Sequence, residues 1–186
     1  FTILAGRDLE PIEKKTSSGV TIRSWTLKKE MSDNNVMVKA AVDSVDYFEK
    51  SFGDYPYTEL DVVGVDLTGG AGGVEFPGLI TIARMLFASG LQAMAGEGSQ
   101  VPESPMLKDT LVFVVAHEAA HQWWNAVVGS HSRKHPFIDE AMANWSALQF
   151  IGANKGANAR DEQMLMQFEL PYQIHRFMGG ADGPVD

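Results

Sequence analysis

Cysteine is absent from this 186-residue sequence, so disulfide bonds and cysteine-ligated metal sites are both excluded. Long hydrophobic segments are also absent, because the longest uninterrupted apolar run, residues 111–116, is far shorter than the roughly 20 residues of a membrane-spanning helix. Basic residues are scarce: 15 lysines and arginines stand against 24 aspartates and glutamates, a net charge of -9. That balance repels nucleic acid and anionic membranes, so we expect neither as a partner of this segment.

The composition is otherwise typical of a folded domain, with 45% hydrophobic and 21% charged residues. The length fits one domain better than two. The sequence begins with Phe1 and shows no charged-then-apolar leader, which indicates a processed protein or an excised piece. We therefore expect one hydrophobic core, with the function carried by local motifs.

Hydrophobic periodicity predicts mostly strands in the first half of the chain and helices in the second. The predicted elements are extended segments at 1–4 and 20–27, a helix from about 36 that ends at Gly53, strands at 60–65 and 79–83, and helices over 106–128, 138–151 and 159–178. Glycine, proline and serine between residues 88 and 105 predict a long loop. Pro171 should kink or break the last helix.

Residues 117–121 read His-Glu-Ala-Ala-His and lie inside a predicted helix. Residues four apart share one helix face, so His117 and His121 can reach the same metal ion. Zinc suits such nitrogen ligands. Glu118 projects one residue further round, too offset to be the third ligand but well placed beside a metal-bound water. The alternative is a helix with two histidines that are merely partly buried.

A third ligand is available on the next predicted helix. Glu140 follows His121 by 19 positions, and a turn between Gly129 and Pro136 would return the second helix antiparallel to the first. Its carboxylate would then meet the two imidazoles. Two histidines and one glutamate are the ligand set of catalytic zinc hydrolases.

This pattern resembles the gluzincin zinc aminopeptidases, the family of aminopeptidase N and the puromycin-sensitive aminopeptidase, whose signature is H-E-x-x-H-x18-E. The neighbouring sequence is similar as well. His-Gln-Trp-Trp at 121–124 resembles the continuation of the family's zinc helix, and Phe-Ile-Asp-Glu-Ala at 137–141 resembles its W-L-N-E-G. Residues 52–61 resemble its F-G-x-Y-P-Y-x-x-L-D segment, and the likeness extends over about residues 47–150.

The resemblance implies an α+β, thermolysin-like (zincin) catalytic domain, with a small mixed sheet packed beside helices that carry the zinc site. It implies one Zn²⁺ held by His117, His121 and Glu140, with Glu118 as the general base. It also suggests that residues 31–186 are a catalytic domain truncated at its C-terminus. Residues 1–30 are interpreted as the end of a preceding β domain or as linking strands.

The segment Gly72-Gly-Val-Glu-Phe76 stands where the family has G-A-M-E-N. The resemblance implies that Glu75 pairs with the free α-amine of a peptide substrate, while Gly72 and Gly73 allow the peptide to approach a strand edge. Val74 and Phe76 depart from the family's methionine and asparagine. The alternative is an ordinary glycine-rich turn into an edge strand, with Glu75 solvated.

The family's oxyanion-stabilising tyrosine lies roughly sixty residues beyond the third ligand, past Asp186, and Tyr172 is too near Glu140 to match it. The sequence thus predicts an aminopeptidase fragment that binds zinc and hydrolyses weakly. Phe76 favours a different candidate, a zinc endopeptidase or other gluzincin hydrolase. A non-catalytic, peptidase-like interaction domain is the third candidate.

Several other residues are candidates for structural roles. His131 and His135 are four apart, but Pro136 disfavours a helix there, which predicts a solvated loop. Asp139 would either orient a zinc histidine or stand exposed at a helix start. Three tryptophans are expected to pack the helices around the metal: Trp123, Trp124 and Trp145.

Overall fold

The structure, a computed structural model, describes residues 2–89, 104–132 and 134–183. Its strands are β1 (Leu9–Lys15), β2 (Thr21–Leu27), β3 (Glu59–Val65), β4 (Gly73–Phe76) and β5 (Leu79–Ala83). Its helices are α1 (Met31–Phe52), α2 (Pro105–Ala120), α3 (Pro136–Lys155), α4 (Ala157–Met164) and α5 (Leu170–Phe177). A π-helical turn at Leu165–Glu169 joins α4 to α5. None of the described helices is both long and apolar enough to cross a membrane.

The five strands form one mixed sheet in the order β1-β2-β3-β5-β4. The central pairs β2–β3 and β3–β5 are parallel, while β1 and β4 are antiparallel to their neighbours. This places β4 at one edge of the sheet, next to α2. A small mixed sheet beside helices confirms the predicted α+β class.

The sheet continues across residue 30, where the sequence suggested a division. β2 pairs with β3 in parallel register from Thr21 opposite Glu59 to Trp25 opposite Val63. The α1 helix connects these two strands. The strands before residue 30 therefore form part of the same sheet as the strands that follow.

The core lies between the sheet and the helices. Alternate residues of β2 are buried, as the period of a strand dictates when one face is covered. The inward apolar side chains of the sheet that are fully buried are Ile22, Leu60, Val62, Ile80 and Ile82. The α1 helix covers them with one apolar face made of Met37, Val38, Ala41, Val45 and Phe48. The α2 helix packs against α1 and β4, and α3 packs against α2.

One predicted element is placed differently in the structure. Residues 2–4 form no strand, and the first strand is β1, Leu9–Lys15, which pairs with β2 as a hairpin. Residues 9–15 form the strand because they pair with β2, whereas the β-propensity of residues 2–4 does not by itself produce a strand. The predicted long loop at 88–105 falls mostly outside the described residues.

The helix that carries His117 ends at Ala120, eight residues before the predicted end. Asn125 has a φ of 150°, which no right-handed helix accommodates. Tertiary hydrogen bonds hold this turn, because Trp123 donates to the carbonyl of Gly53 and Trp124 donates to Ser146. Hydrophobic periodicity does not report such tertiary contacts, so it predicts a helix that is longer than the observed one.

The chain near Pro171 remains helical, with a local change in its winding. The π-helical turn at Leu165–Glu169 precedes Leu170 and Pro171, which lie in the first turn of α5. A proline has no N–H and cannot continue α-helical bonding to the preceding turn. The chain therefore widens into this turn before Pro171, and the helix is not broken there.

Candidate metal centre

Three side chains from two helices converge on one point. His117 and His121 face each other from the end of α2, with their Nε2 atoms 3.2 Å apart. The Oε2 atom of Glu140, in the first turns of α3, lies 3.2 Å from His117 Nε2 and 3.7 Å from His121 Nε2. One donor atom from each residue therefore meets the other two within the reach of a single ion.

The backbone orients one of the two imidazoles. His121 is 1% exposed, and its Nδ1–H donates to the carbonyl oxygen of Trp124 at 3.0 Å. A carbonyl only accepts, so this bond places the proton of a neutral ring on Nδ1 and leaves the Nε2 lone pair for a metal. Because α2 ends at Ala120, the turn that follows can bring the Trp124 carbonyl back to the His121 ring.

The charges of the three residues depend on one another. Two hydrogen bonds, from His117 and His121, hold the pKa of Glu140 well below its usual value. Burial lowers the pKa of His121, but the hydrogen bonds to Glu140 and to the Trp124 carbonyl outweigh it and raise the pKa to about 9. The site therefore favours an ionised carboxylate beside positive charge.

Glu118 lies beside this cluster in an enclosed position. It is 4% exposed, and its Oε2 atom is buried without a hydrogen bond within the described residues. Burial raises its pKa to about 8; the charge of His121 opposes this, while Glu75 and Glu140 add to it. A carboxyl group with a pKa near neutrality is suited to proton transfer.

Gly73 makes room for the Glu118 carboxyl. A Cβ atom at Gly73 would lie 2.6 Å from both Cγ and Cδ of Glu118, closer than real side chains approach. At Gly72 a Cβ atom would lie 3.3 Å from Val114 and 4.0 Å from Leu86. Gly73 is therefore the glycine that brings the edge strand β4 against the carboxyl at the end of α2.

Glu75 belongs to the same cleft. Its carboxylate, with Glu118 and His121, forms a second group of possible ligand atoms within 4.8 Å of one another. It is half-buried and accepts a hydrogen bond from Asn125, so it is not the solvated side chain of an ordinary turn. The cleft has a volume of about 430 Å³. The residues of the predicted site that line it are Gly72, Gly73, Glu75, His117, Glu118, His121 and Glu140.

Two residues that the sequence analysis did not single out fix β4 to the metal helix. The buried Gln122 side chain donates to the Phe76 carbonyl at 3.0 Å and accepts from the Gly78 N–H at 2.9 Å. Asn125 donates to Glu75 Oε1 at 2.8 Å. Gln122 could have been noticed in the sequence, because it is a polar residue inside an otherwise buried stretch. No feature of the sequence points to Asn125.

The remaining candidates lie apart from the centre. His131 and His135 are exposed in a turn, as predicted. Asp139 matches neither interpretation, because it is 2% exposed and accepts hydrogen bonds from the Ser132 hydroxyl and the Glu140 N–H. Tyr172 is exposed and donates to Asp182, away from the cleft.

The tryptophans pack around the end of α2. Trp123 lies edge-on against Phe48 and Phe52, and Trp124 lies edge-on against Phe52. This confirms the packing role predicted for both. Trp145 is 48% exposed and borders the same cluster only through Phe52.

Comparison with known proteins matches these features to one family. The model of the peptidase family M1 domain covers residues 36–178. Aminopeptidase M1-B of Oryza sativa subsp. japonica is 30% identical over 136 residues, which is 72% of this chain and 14% of that protein. Aminopeptidase N of Haemonchus contortus is 26% identical over 167 residues, 88% of this chain and 15% of that protein.

A third relative gives the same picture. The puromycin-sensitive aminopeptidase of Caenorhabditis elegans is 27% identical over 149 residues, 79% of this chain and 15% of that protein. The chain thus spans 14–15% of the length of these curated relatives. The family model covers most of the sequence, so the chain belongs to peptidase family M1, as the motifs predicted.

Proposed function

We propose that this chain carries the metal centre and general base of a zinc aminopeptidase with a thermolysin-like catalytic domain. The observation that carries the proposal is the convergence of His117, His121 and Glu140 beside the buried carboxyl of Glu118. Membership of family M1 supports it, since the named relatives are aminopeptidases.

The residues at the centre fit a zinc ion. Two imidazole nitrogens and one carboxylate oxygen converge, and the Trp124 carbonyl selects the tautomer of His121 that leaves Nε2 free to bind. Three protein ligands leave one position of a tetrahedral ion for substrate chemistry. When bound, zinc supplies Lewis acidity, which polarises a peptide carbonyl and activates water as a nucleophile at neutral pH.

Glu118 is the residue that moves protons in this proposal. Its carboxylate takes the proton of the attacking water and returns it to the amine that leaves. Burial raises its pKa, whereas a cation held by the three ligands would lower it again. With its pKa lowered in this way, Glu118 would be ionised near neutral pH and able to accept the proton.

The edge strand β4 would bind the peptide. An extended peptide can pair with an unpaired strand edge, and Gly72 and Gly73 let its backbone approach closely. Glu75 on the same strand would pair with the free α-amine, which selects peptides with a free N-terminus.

The metal site is tested by counting bound zinc in Glu140→Ala. The wild-type protein should bind one ion, and Glu140→Ala should lose most of its affinity because one of three ligands is gone. Glu162→Ala, on the exposed side of α4, is the matched control and should bind like the wild type. Equal zinc content in all three proteins would refute the ligand assignment.

The general base is tested with Glu118→Gln. We expect hydrolysis of trialanine to fall by about 10²–10⁴-fold, while zinc remains bound. A variant that stays active would refute the role of Glu118. Equal cleavage of free and N-acetylated trialanine would favour the endopeptidase suggested by Phe76. Zinc binding without hydrolysis of any peptide would favour the interaction domain.

A further inference from the structure

Asn125 has an unusual backbone and a specific side-chain contact. Its φ of 150° lies where glycine is normally required, and among the described residues only one other non-glycine, Asp8, has a positive φ. Its Nδ2 donates to Glu75 Oε1 at 2.8 Å across 50 positions of sequence. A strained backbone conformation persists only when the surrounding structure holds it in place, and such residues cluster at functional sites. The contact between Asn125 and Glu75 is therefore a candidate for a functional role.

The chemistry of the contact suits an amine-binding carboxylate. The Asn125 amide is the only hydrogen-bond partner of the Glu75 side chain within the described residues. An amide is a neutral donor, so it fixes one carboxylate oxygen and leaves the negative charge of the group intact. A lysine or arginine here would form an ion pair and compete with a substrate ammonium.

The main chain around Glu75 is held independently of Asn125. Gln122 bonds the carbonyl of Phe76 and the N–H of Gly78, and β4 pairs with β5 along its length. Loss of the Asn125 amide should therefore release the Glu75 side chain and leave the strand in place.

We propose that Asn125 is a positioning residue, which orients the Glu75 carboxylate toward the α-amine of a bound peptide. The inference rests on the proposed function, in which Glu75 recognises that amine. It explains why an asparagine occupies a backbone conformation that glycine adopts without strain.

Asn125→Gly tests the proposal because glycine accepts the backbone and removes only the amide. Binding of trialanine and of N-acetyl-trialanine is measured by calorimetry, with Glu118→Gln present in every protein so that peptides stay intact. We expect affinity for trialanine to fall about tenfold, as for loss of a hydrogen bond to a charged group. Affinity for N-acetyl-trialanine and the melting temperature should not fall. Asn35→Ala, which removes an amide bond to the Met31 carbonyl far from the cleft, should change nothing.

A double-mutant cycle with Glu75→Gln shows whether Asn125 acts through Glu75. If it does, Asn125→Gly should cause no further loss in the Glu75→Gln background. An equal loss in that background, or an equal loss for the acetylated peptide, would overturn the proposal. So would a wild-type site that does not prefer trialanine to its acetylated form.

Hydrolysis separates this inference from the proposed function. In proteins that retain Glu118, Asn125→Gly should raise KM for trialanine about tenfold and change kcat little. If the wild type binds the free amine through Glu75 but hydrolyses nothing, the peptidase proposal fails and the positioning role stands. If hydrolysis occurs without amine preference, the positioning role and the aminopeptidase specificity both fail, and only the metal centre and general base of the peptidase proposal stand.

Discussion

At the scale of single residues, the absence of a side chain at Gly73 leaves the space that the Glu118 carboxyl occupies. A Cβ atom at position 73 would lie 2.6 Å from Cγ and Cδ of Glu118, and Glu118 is 4% exposed. The methyl group of Gly73→Ala would therefore displace the carboxyl. A shift of about 1 Å in a catalytic group can lower a rate by about 10²-fold. We expect a loss of that size in kcat/KM for trialanine, with zinc content unchanged.

Gly72→Ala is the control for this prediction. Its methyl group would meet Val114 at 3.3 Å, a contact that a shift of a few tenths of an ångström relieves. The Glu118 carboxyl should keep its position, so kcat should stay close to that of the wild type, and any loss should appear in KM because Gly72 lies where the peptide would approach. Equal losses in the two variants would mean that the strand, rather than the Glu118 carboxyl, is sensitive to added bulk.

The sequence predicted the residues whose positions depend on local spacing. One helical turn fixes His117, Glu118 and His121 relative to one another, so the motif alone was sufficient. Gln122 and Asn125 could not be placed in this way, because their partners on β4 lie 46 and 50 positions earlier in the sequence. Only tertiary structure brings such groups together.

At the scale of elements, Gln122 joins the β4–β5 hairpin to the metal helix. Its buried amide gives a partly buried carbonyl and a partly buried N–H at the hairpin turn their hydrogen bonds. Gln122→Ala would leave both unpaired, which we expect to destabilise the protein by about 2–4 kcal/mol. Urea unfolding measures the loss, and faster amide exchange in Gly73–Phe76 would show that the hairpin has loosened.

Gln163→Ala is the matched control for the hairpin contact. Gln163 is also buried, but within the described part of the chain its side chain accepts only from Gln167 on the neighbouring helical turn. We expect about 1 kcal/mol of destabilisation and no change in exchange at β4. If exchange in β4 is the same in both variants, Gln122 does not hold the hairpin.

The elements that the sequence predicted best are those with a long apolar period. The helices α1 and α3 and the strands β3 and β5 appear close to their expected positions. Errors concentrate where tertiary contacts decide the outcome. The end of α2 depends on Trp123 and Trp124 bonding to distant oxygens, and β1 depends on the partner strand β2. Propensity measures neither effect.

At the scale of the whole molecule, the metal centre depends on a single sheet. In the sheet, β4 pairs with β5, β5 with β3, and β3 with β2. The position of β4 at the cleft therefore depends on the strands next to it in the sheet. The fully buried residue Ile22 of β2 packs in the same core as Val115 and Ala116 of the metal helix. The strands before residue 30 should therefore matter to a site that is more than 40 residues further along the chain.

Removal of residues 1–30 tests this dependence. The shortened chain would lose β1 and β2, exposing the edge of β3 and the apolar face of α1. A domain is stabilised by only about 5–15 kcal/mol, so losing two of five strands should abolish cooperative unfolding and zinc binding together. Removal of residues 1–7, which form no strand among the described positions, should preserve both. If the chain that begins at residue 31 unfolds cooperatively and binds one zinc ion, residues 1–30 belong to a separate unit, as the sequence-based division proposed.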